Sequence, residues 1–315
     1  MSFFYKAYGL TIQSNIEFPQ LITVNITADN KTDLDISIDE GEIMSVDGEA
    51  AFQGKPFYGN TASGIWFNNQ VGKFLVETKA GKSYIKCTKY KDVDIDYVKC
   101  FVLGICIAIV FTQRKKIVLH GSSLMYKGRT FMICGDSGAG KSTLSTAFIE
   151  DGALLLADDI SVLDEENGEI YTFPGFPEQK LCKDAVQKQN YEIEKLRFIN
   201  DEKGKYGVNR TDVFVGEKKK VDVLFVIHAK YVQNMNGSIN QNGISAHEIS
   251  GADKVNAITD RFFLRELYGD LLVLPPDEMG KCFKMAKQMK IVDITRDRNK
   301  DTLKQMKDII LDNLF

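Results

Sequence analysis

The segment from Gly135 to Ser142 carries the clearest chemical signature in this chain. It reads GDSGAGKS and matches the pattern GxxxxGK[ST], which arises by chance in about 1% of chains of this length. An apolar run, FMIC, precedes it and a helix is predicted after it, as such a loop requires. Backbone N–H groups of the glycines can then surround phosphate oxygens at a helix N-terminus. The predicted phosphate-binding residues are Gly135, Asp136, Ser137, Gly138, Ala139, Gly140, Lys141, Ser142 and Thr143.

Two side chains of this loop have assigned roles in the pattern. Lys141 is expected to reach the β- and γ-phosphates, and the hydroxyl of Ser142 is expected to coordinate Mg²⁺. The predicted cofactors are therefore ATP, or another nucleoside triphosphate, and Mg²⁺. A glycine turn that only caps a helix is the structural alternative.

A pair of adjacent carboxylates, Asp158 and Asp159, follows the apolar run ALLLA soon after the loop. Both are expected just past the end of a buried strand, at the edge where open α/β sheets bind ligands. One carboxylate suffices to hold Mg²⁺, whereas a second can accept the proton of an attacking hydroxyl. This favours a kinase over a hydrolase, although Asp159 as a simple turn residue is the alternative. Spacing does not decide which acid takes which role.

Other polar residues are weaker candidates for the same site. His120 ends the predicted strand KIVLH and either supports a carboxylate base or is structural. Lys180, in the Pro/Gly-controlled segment 174–181, either contacts phosphate or lies exposed. His228 and His247 are interpreted as structural. The candidates for a clamp on the transferring phosphoryl group are Arg197, Arg210, Arg261 and Arg265. The i, i+4 spacing of the last two predicts one helix face, with a salt-bridged surface as the favoured interpretation.

These residues need an α/β framework to position them. Residues 1–95 are predicted to form a β-rich N-terminal domain, and 96–315 a catalytic domain, with the composition changing near 91–96. Helices are expected at 92–114, 141–150, 252–268, 276–289 and 300–314. Strands are expected at 34–38, 73–78, 116–120, 123–126, 130–134, 153–157, 160–163, 169–173, 221–229, 244–249 and 291–295, and an exposed loop at 233–243.

Composition excludes several classes of function. The net charge of the 315 residues is −3, so no general attraction to nucleic acid or to an anionic membrane is predicted. The apolar run at 100–111 is shorter than the roughly 20 residues of a spanning helix, which favours a buried helix. Six cysteines without CxxC pairs, and no signal-peptide pattern at the start, favour a reducing cytoplasm.

The segments LHGSSL, GRTFMICGDSGAGKSTL and LLADDISVL together resemble the catalytic domain of the HPr kinase/phosphorylase family. That resemblance implies the fold shared with phosphoenolpyruvate carboxykinase, and serine phosphorylation from a nucleotide with Mg²⁺. It also implies an order of roles: Asp158 as general base, Asp159 at the metal, and His120 supporting the base.

The chain departs from the HPr enzymes in one signature. Their RGLG-type sequence is absent between 180 and 220, where KGKYGVNRTDVFVG is the nearest text. The opening YKAYGLTIQSNIEFPQL and the segment PGFPEQKL are more similar to lasso-peptide precursor kinases, over most of residues 1–182. We therefore expect a serine kinase acting on a peptide. The alternatives are HPr or a small hydroxyl metabolite as acceptor, a nucleotide-sensing module without transfer, and a P-loop hydrolase. The N-terminal region is expected either to bind the peptide or to hold two copies of the chain together.

Overall fold

The computed structural model describes residues 1–25, 31–42, 44–45, 58–189, 191–199, 204–231, 243–265 and 276–315. The described part is a mixed α/β structure with three β-sheets. The segments predicted as the loop at 233–242 and as the helix end at 266–268 lie outside these residues.

The first sheet has eight strands and contains most of the N-terminal region. Its order is β3-β1-β2-β4-β8-β7-β6-β5. Buried and half-buried residues alternate along β2 and the first half of β4, so one face of the sheet packs on the core. Its strands are β1 Phe3–Ala7, β2 Leu10–Ser14, β3 Ile22–Thr23, β4 Leu34–Glu40, β5 Tyr58–Asn60, β6 Gly64–Asn68, β7 Gly72–Lys79 and β8 Lys82–Lys89. The β-rich prediction for this region is confirmed, while its division from the rest near 91–96 stays a prediction.

An apolar helix connects the first sheet to the second. It consists of α1 Ile95–Phe101, a π-helical turn Val102–Cys106 and α2 Ile107–Gln113, and the Asp94 side chain caps its first turn. At 19 residues and a mean hydropathy of 2.1, it is long and apolar enough to span a membrane by length and composition alone. It is, however, 67% buried, and α2 packs on β7 and on β9 of the second sheet. The prediction of a buried helix is thus confirmed, and the helix is longer than the apolar run at 100–111.

The second sheet carries the predicted phosphate-binding loop and both acids of interest. Its order is β17-β13-β12-β9-β10-β18-β20-β19, with β11 also paired to β9. The strands β10, β18 and β20 are mutually parallel. The bounds are β9 Ile117–Tyr126, β10 Arg129–Gly135, β11 Leu154–Ala157, β12 Ile160–Glu166, β13 Glu169–Phe173, β17 Lys219–Lys220, β18 Val223–Lys230, β19 Ile244–Glu248 and β20 Lys290–Asp297.

Helices cover both faces of this sheet. Alternate residues of β10 belong to different cores: Phe131 and Ile133 pack with α3 and α7, and Met132 and Cys134 with α5 and α6. The helices are α3 Lys141–Glu150, α5 Asp253–Thr259, α6 Pro276–Gln288 and α7 Leu303–Leu314. A third, small sheet of order β14-β16-β15, with α4 Lys183–Lys188, lies beside α3; its strands are β14 Glu178–Cys182, β15 Arg197–Ile199 and β16 Lys205–Asn209.

The predicted break between two strands at 120 and 123 is wrong. The structure has one ten-residue strand, β9, that runs through this point. Gly121 makes this continuity compatible with close packing, because a Cβ there would lie 2.5 Å from the carbonyl oxygen of Ile133 and 2.6 Å from Cys134 Sγ. The glycine therefore marks a close approach of β9 to β10 rather than a turn.

The predicted helix 252–268 ends early, at Thr259. The chain then pairs with β9: the amide of Phe263 donates to Val118, and the amide of His120 donates to the carbonyl of Arg261. β10 no longer pairs with this part of β9, so its edge is available to residues 261–263. This tertiary pairing overrides the local helix propensity. Arg261 and Arg265 consequently do not share a helix face.

Candidate active site

The candidate site lies where the strands that pair with β9 change on both of its sides. On one side β10 pairs with β9 as far as Gly121 and then turns into the phosphate loop. On the other side β11 pairs with residues 123–125 of β9 and β12 with residues 117–120. Asp158 and Asp159 lie between the end of β11 and the start of β12. The loop and the acid pair therefore flank one point of β9.

Side chains of β9 point into this gap from both sides of Gly121. His120 and Ser122 are two residues apart and so lie on the same face of the strand. The hydroxyl of Ser122 donates to Asp158 at 2.6 Å, and His120 Nδ1 lies 3.1 Å from the carbonyl oxygen of Asp159. One short segment thus contacts both acids.

The phosphate loop has the backbone that its sequence predicts. Gly138 and Gly140 have positive φ, and α3 begins directly after them at Lys141. A Cβ at Gly135 would lie 2.2 Å from the carbonyl oxygen of Ile227, so this position excludes any side chain. The Lys141 ammonium group donates to the carbonyl of Gly135 at 2.8 Å, and burial lowers the pKa of this lysine.

A charged network holds the outer side of the loop. Asp136 accepts a hydrogen bond from Arg261 at 2.5 Å and lies 3.1 Å from His228 Nδ1. The other ring nitrogen of His228 lies 2.9 Å from Asp293 on β20. The contact to Asp293, ahead of the contact to Asp136, raises the pKa of His228. On the inner side, Arg296 donates to the carbonyl of Ala139 at 2.9 Å.

Asp158 is buried and hydrogen-bonded through both carboxylate oxygens. One accepts from Ser122, and the other accepts from the backbone N–H of Lys180 at 2.8 Å. Burial raises the pKa of Asp158, although the two hydrogen bonds oppose this shift. A carboxylate with a raised pKa is better suited to accept a proton than an ordinary one.

Asp159 lies in the opposite electrostatic environment. Its carboxylate pairs with the Lys180 ammonium group at 2.9 Å and lies 3.6 Å from His120 Nδ1. Burial alone would raise the pKa of Asp159, but Lys180, His120 and Lys205 together hold it well below its usual range. Its backbone has φ of 69°, a left-handed conformation that aspartate tolerates better than most residues. Two neighbouring acids thus have pKa values shifted in opposite directions.

The loop and the acids line one cleft of about 320 Å³. Among the described residues, no group of three or more His, Cys, Asp or Glu side chains can hold a metal ion. Ser142 and Asp159 both line the cleft, and one hydroxyl with one carboxylate is the protein contribution that suits a Mg²⁺ ion shared with phosphates and water. The donor set therefore fits nucleotide-bound Mg²⁺ and does not fit a metal held by protein alone.

None of the four predicted phosphoryl clamps lines the cleft, and Arg261 and Arg265 line an adjoining cavity instead. Arg197 forms a two-point ion pair with Glu178, and Arg210 donates twice to Gln179. Neither lines the cleft. Lys180 lines it, but as the partner of Asp159.

Sequence reasoning missed four contributors to the site. Ser122 was detectable from its i, i+2 spacing to His120 on a strand, and Arg296 from its position near the carboxyl end of a parallel strand. Lys205, which also lines the cleft, has no such signal, because β16 reaches the site only through the third sheet. His228 was interpreted as structural, and its contact with Asp136 shows that it also supports the phosphate loop.

Comparison with known proteins gives limited information. No family model matches the chain, and no curated protein matches it. Among solved structures, the chain is similar to the HPr(Ser) kinase/phosphatase from Coxiella burnetii, with a TM-score of 0.32 and 14% sequence identity. That match covers 62% of this chain and 94% of the other. At this TM-score the likeness carries no argument.

Proposed function

We propose that this protein transfers a phosphoryl group from a Mg²⁺-bound nucleoside triphosphate, ATP in the simplest case, to a hydroxyl group. The observation that carries this proposal is the acid pair beside the phosphate loop, in which the pKa of Asp158 is raised and that of Asp159 is lowered. Acids with environments this different serve different roles. Such a base can take the proton of an acceptor hydroxyl or of water, and the assay without acceptor described below separates these two reactions.

The roles of the residues follow from their contacts. The loop amides and Lys141 bind the phosphates, and Arg296 holds the loop from its inner side. Asp158 accepts the proton of the acceptor hydroxyl, while Ser122 and the Lys180 amide fix its orientation. Asp159 and Ser142 would hold Mg²⁺, which supplies charge neutralisation between the phosphates when bound. Lys180 keeps Asp159 ionised until the ion is present.

The acceptor we propose is a serine of a peptide, of the lasso-precursor type. The sequence similarity described above, over most of residues 1–182, supports this choice, and the missing RGLG-type signature argues against HPr. The enzyme would act in the cytoplasm, and its net charge of −3 gives no reason to expect nucleic acid as a partner.

A pair of substitutions tests the proposal. Asp158→Asn should keep Mg²⁺-dependent ATP affinity and lower the transfer rate by about 10³-fold, because a general base contributes 10²–10⁴-fold. Asp159→Asn should instead weaken the Mg²⁺ dependence of ATP binding. Calorimetric titration with Mg-ATP, and mass spectrometry of serine peptides after incubation, measure both. Brisk ATP hydrolysis by the wild type without any acceptor would support a hydrolase, and nucleotide binding with no transfer to peptide, HPr or metabolite would support a sensor.

A further inference from the structure

A second cavity, which we call the apolar pocket, adjoins the cleft. It has a volume of about 390 Å³ and shares His120 and Ser137 with the cleft. Its apolar lining comes from Ile105, Phe262, Phe263 and Leu264. Because the two cavities meet at His120, a molecule reaching Asp158 can extend into the apolar pocket.

Irregular backbone positions both walls of the apolar pocket. Ile105 lies in the π-helical turn of the core helix, a feature that often occurs at functional sites. The opposite wall is the segment after α5 that pairs with β9, and the ring of Phe263 packs edge-on against His120 at 5.6 Å. The pocket is therefore fixed relative to the acids.

The residues that line the two cavities indicate whether the pocket adjoins the nucleoside or the acceptor. The first loop residues, Gly135, Asp136 and Ser137, line the apolar pocket, whereas Lys141 to Thr143 line only the cleft. His120 lines both cavities, and its Nδ1 lies 3.1 Å from the carbonyl oxygen of Asp159. The pocket therefore opens on the acid side of the cleft, where an acceptor hydroxyl has to reach Asp158.

The charges of the pocket are paired among themselves. Arg261 binds Asp136 at 2.5 Å, and Arg265 binds Asp260 at 2.9 Å on the exposed rim. A charged occupant would have to compete with these pairs, whereas an uncharged one leaves them in place. Apart from His120 and Ser137, the remaining side chains of the lining are aliphatic or aromatic, which suits an apolar occupant.

We propose that the apolar pocket binds a bulky apolar residue next to the phosphorylated serine of an acceptor peptide. This inference rests on the proposed function and adds a specificity determinant to it. A nucleobase is the other occupant of suitable chemistry, and the test below distinguishes it.

The test uses decapeptides with a central serine followed by Glu, Ala, Leu or Trp. The wild type should favour Leu over Ala and over Glu by about tenfold or more in kcat/KM, the range expected for filling an apolar pocket. Ile105→Ala enlarges the pocket and should shift the preference from Leu toward Trp. The matched control is Ile109→Ala, which removes a buried side chain of the same helix that does not line the pocket and should leave the Leu preference unchanged.

Each outcome decides the matter. Transfer that ignores the residue after serine, or an equal change in both variants, would overturn the inference and leave the kinase assignment standing. A loss of ATP affinity in Ile105→Ala with unchanged affinity for tripolyphosphate would place the nucleobase in the pocket and overturn the peptide proposal. No transfer to any peptide, with Mg-ATP bound normally, would overturn this inference and the peptide acceptor, whereas the kinase assignment itself would be overturned only if HPr and small hydroxyl metabolites also received no phosphate.

Discussion

The two sides of β9 build their halves of the cleft in different ways. The phosphate loop is made of backbone: glycines with positive φ place its amides, and a helix begins where it ends. The acid side is made of side chains from distant segments, with Ser122 from β9 and Lys180 from β14 holding Asp158 and Asp159. A backbone-built site tolerates loss of outer side chains, whereas a side-chain-built site depends on each partner.

Removing the cation of the acid side should therefore have the largest effect on folding. Lys180→Met leaves Asp159 buried without its main partner, and breaking one half of such a pair costs about 3 kcal/mol of unfolding free energy. The lowered pKa of Asp159 contributes stability above its unfolded value of about 3.9, and this contribution is lost as pH falls below that value. Urea denaturation of both proteins should show the largest difference near pH 7 and a smaller one below pH 4.

The matched control for this change is Lys218→Met. Lys218 pairs with Glu166 on the surface, and such pairs contribute about 0–1 kcal/mol. An equal loss of stability in both variants would contradict the special role given to the acid side.

The point where the two sides meet offers a second, smaller perturbation. Gly121→Ala forces a methyl group against Ile133 and Cys134, and overpacking of this kind costs about 2 kcal/mol. Gly104→Ala is the control, because nothing lies within 4 Å of its Cβ position and alanine in a helix is favoured by up to about 1 kcal/mol. Thermal unfolding should place the two variants on opposite sides of the wild type. A Gly121→Ala protein as stable as the wild type would show that the strands separate freely here.

The same contrast explains which parts of the fold and of the site could be predicted from the sequence. The loop, α3 and the buried strand before Asp158 are local patterns, and the structure contains all three. The partners of the acids are not local: Lys180 and Lys205 reach the site through a small sheet whose pairing no single segment encodes. The failure at 252–268 has the same cause, because the edge of β9 that captures residues 261–263 is distant in sequence. Helix propensity is a weak prior that such tertiary pairing overrides.

The smallest predicted effect lies on the loop side and separates the two halves by pH. His228 bridges Asp136 and Asp293, and its raised pKa contributes stability that is complete below the unfolded value of about 6.5 and is lost as pH rises through the folded value. His228→Asn should therefore lower the unfolding free energy by about 1 kcal/mol at pH 6 and by less at pH 9. Urea denaturation at both values measures this, with the wild type at each pH as the reference. Because the Lys180–Asp159 pair loses its contribution below about pH 4, a difference for His228→Asn that grew between pH 6 and pH 9 would contradict the assignment of separate pH windows to these two ion pairs.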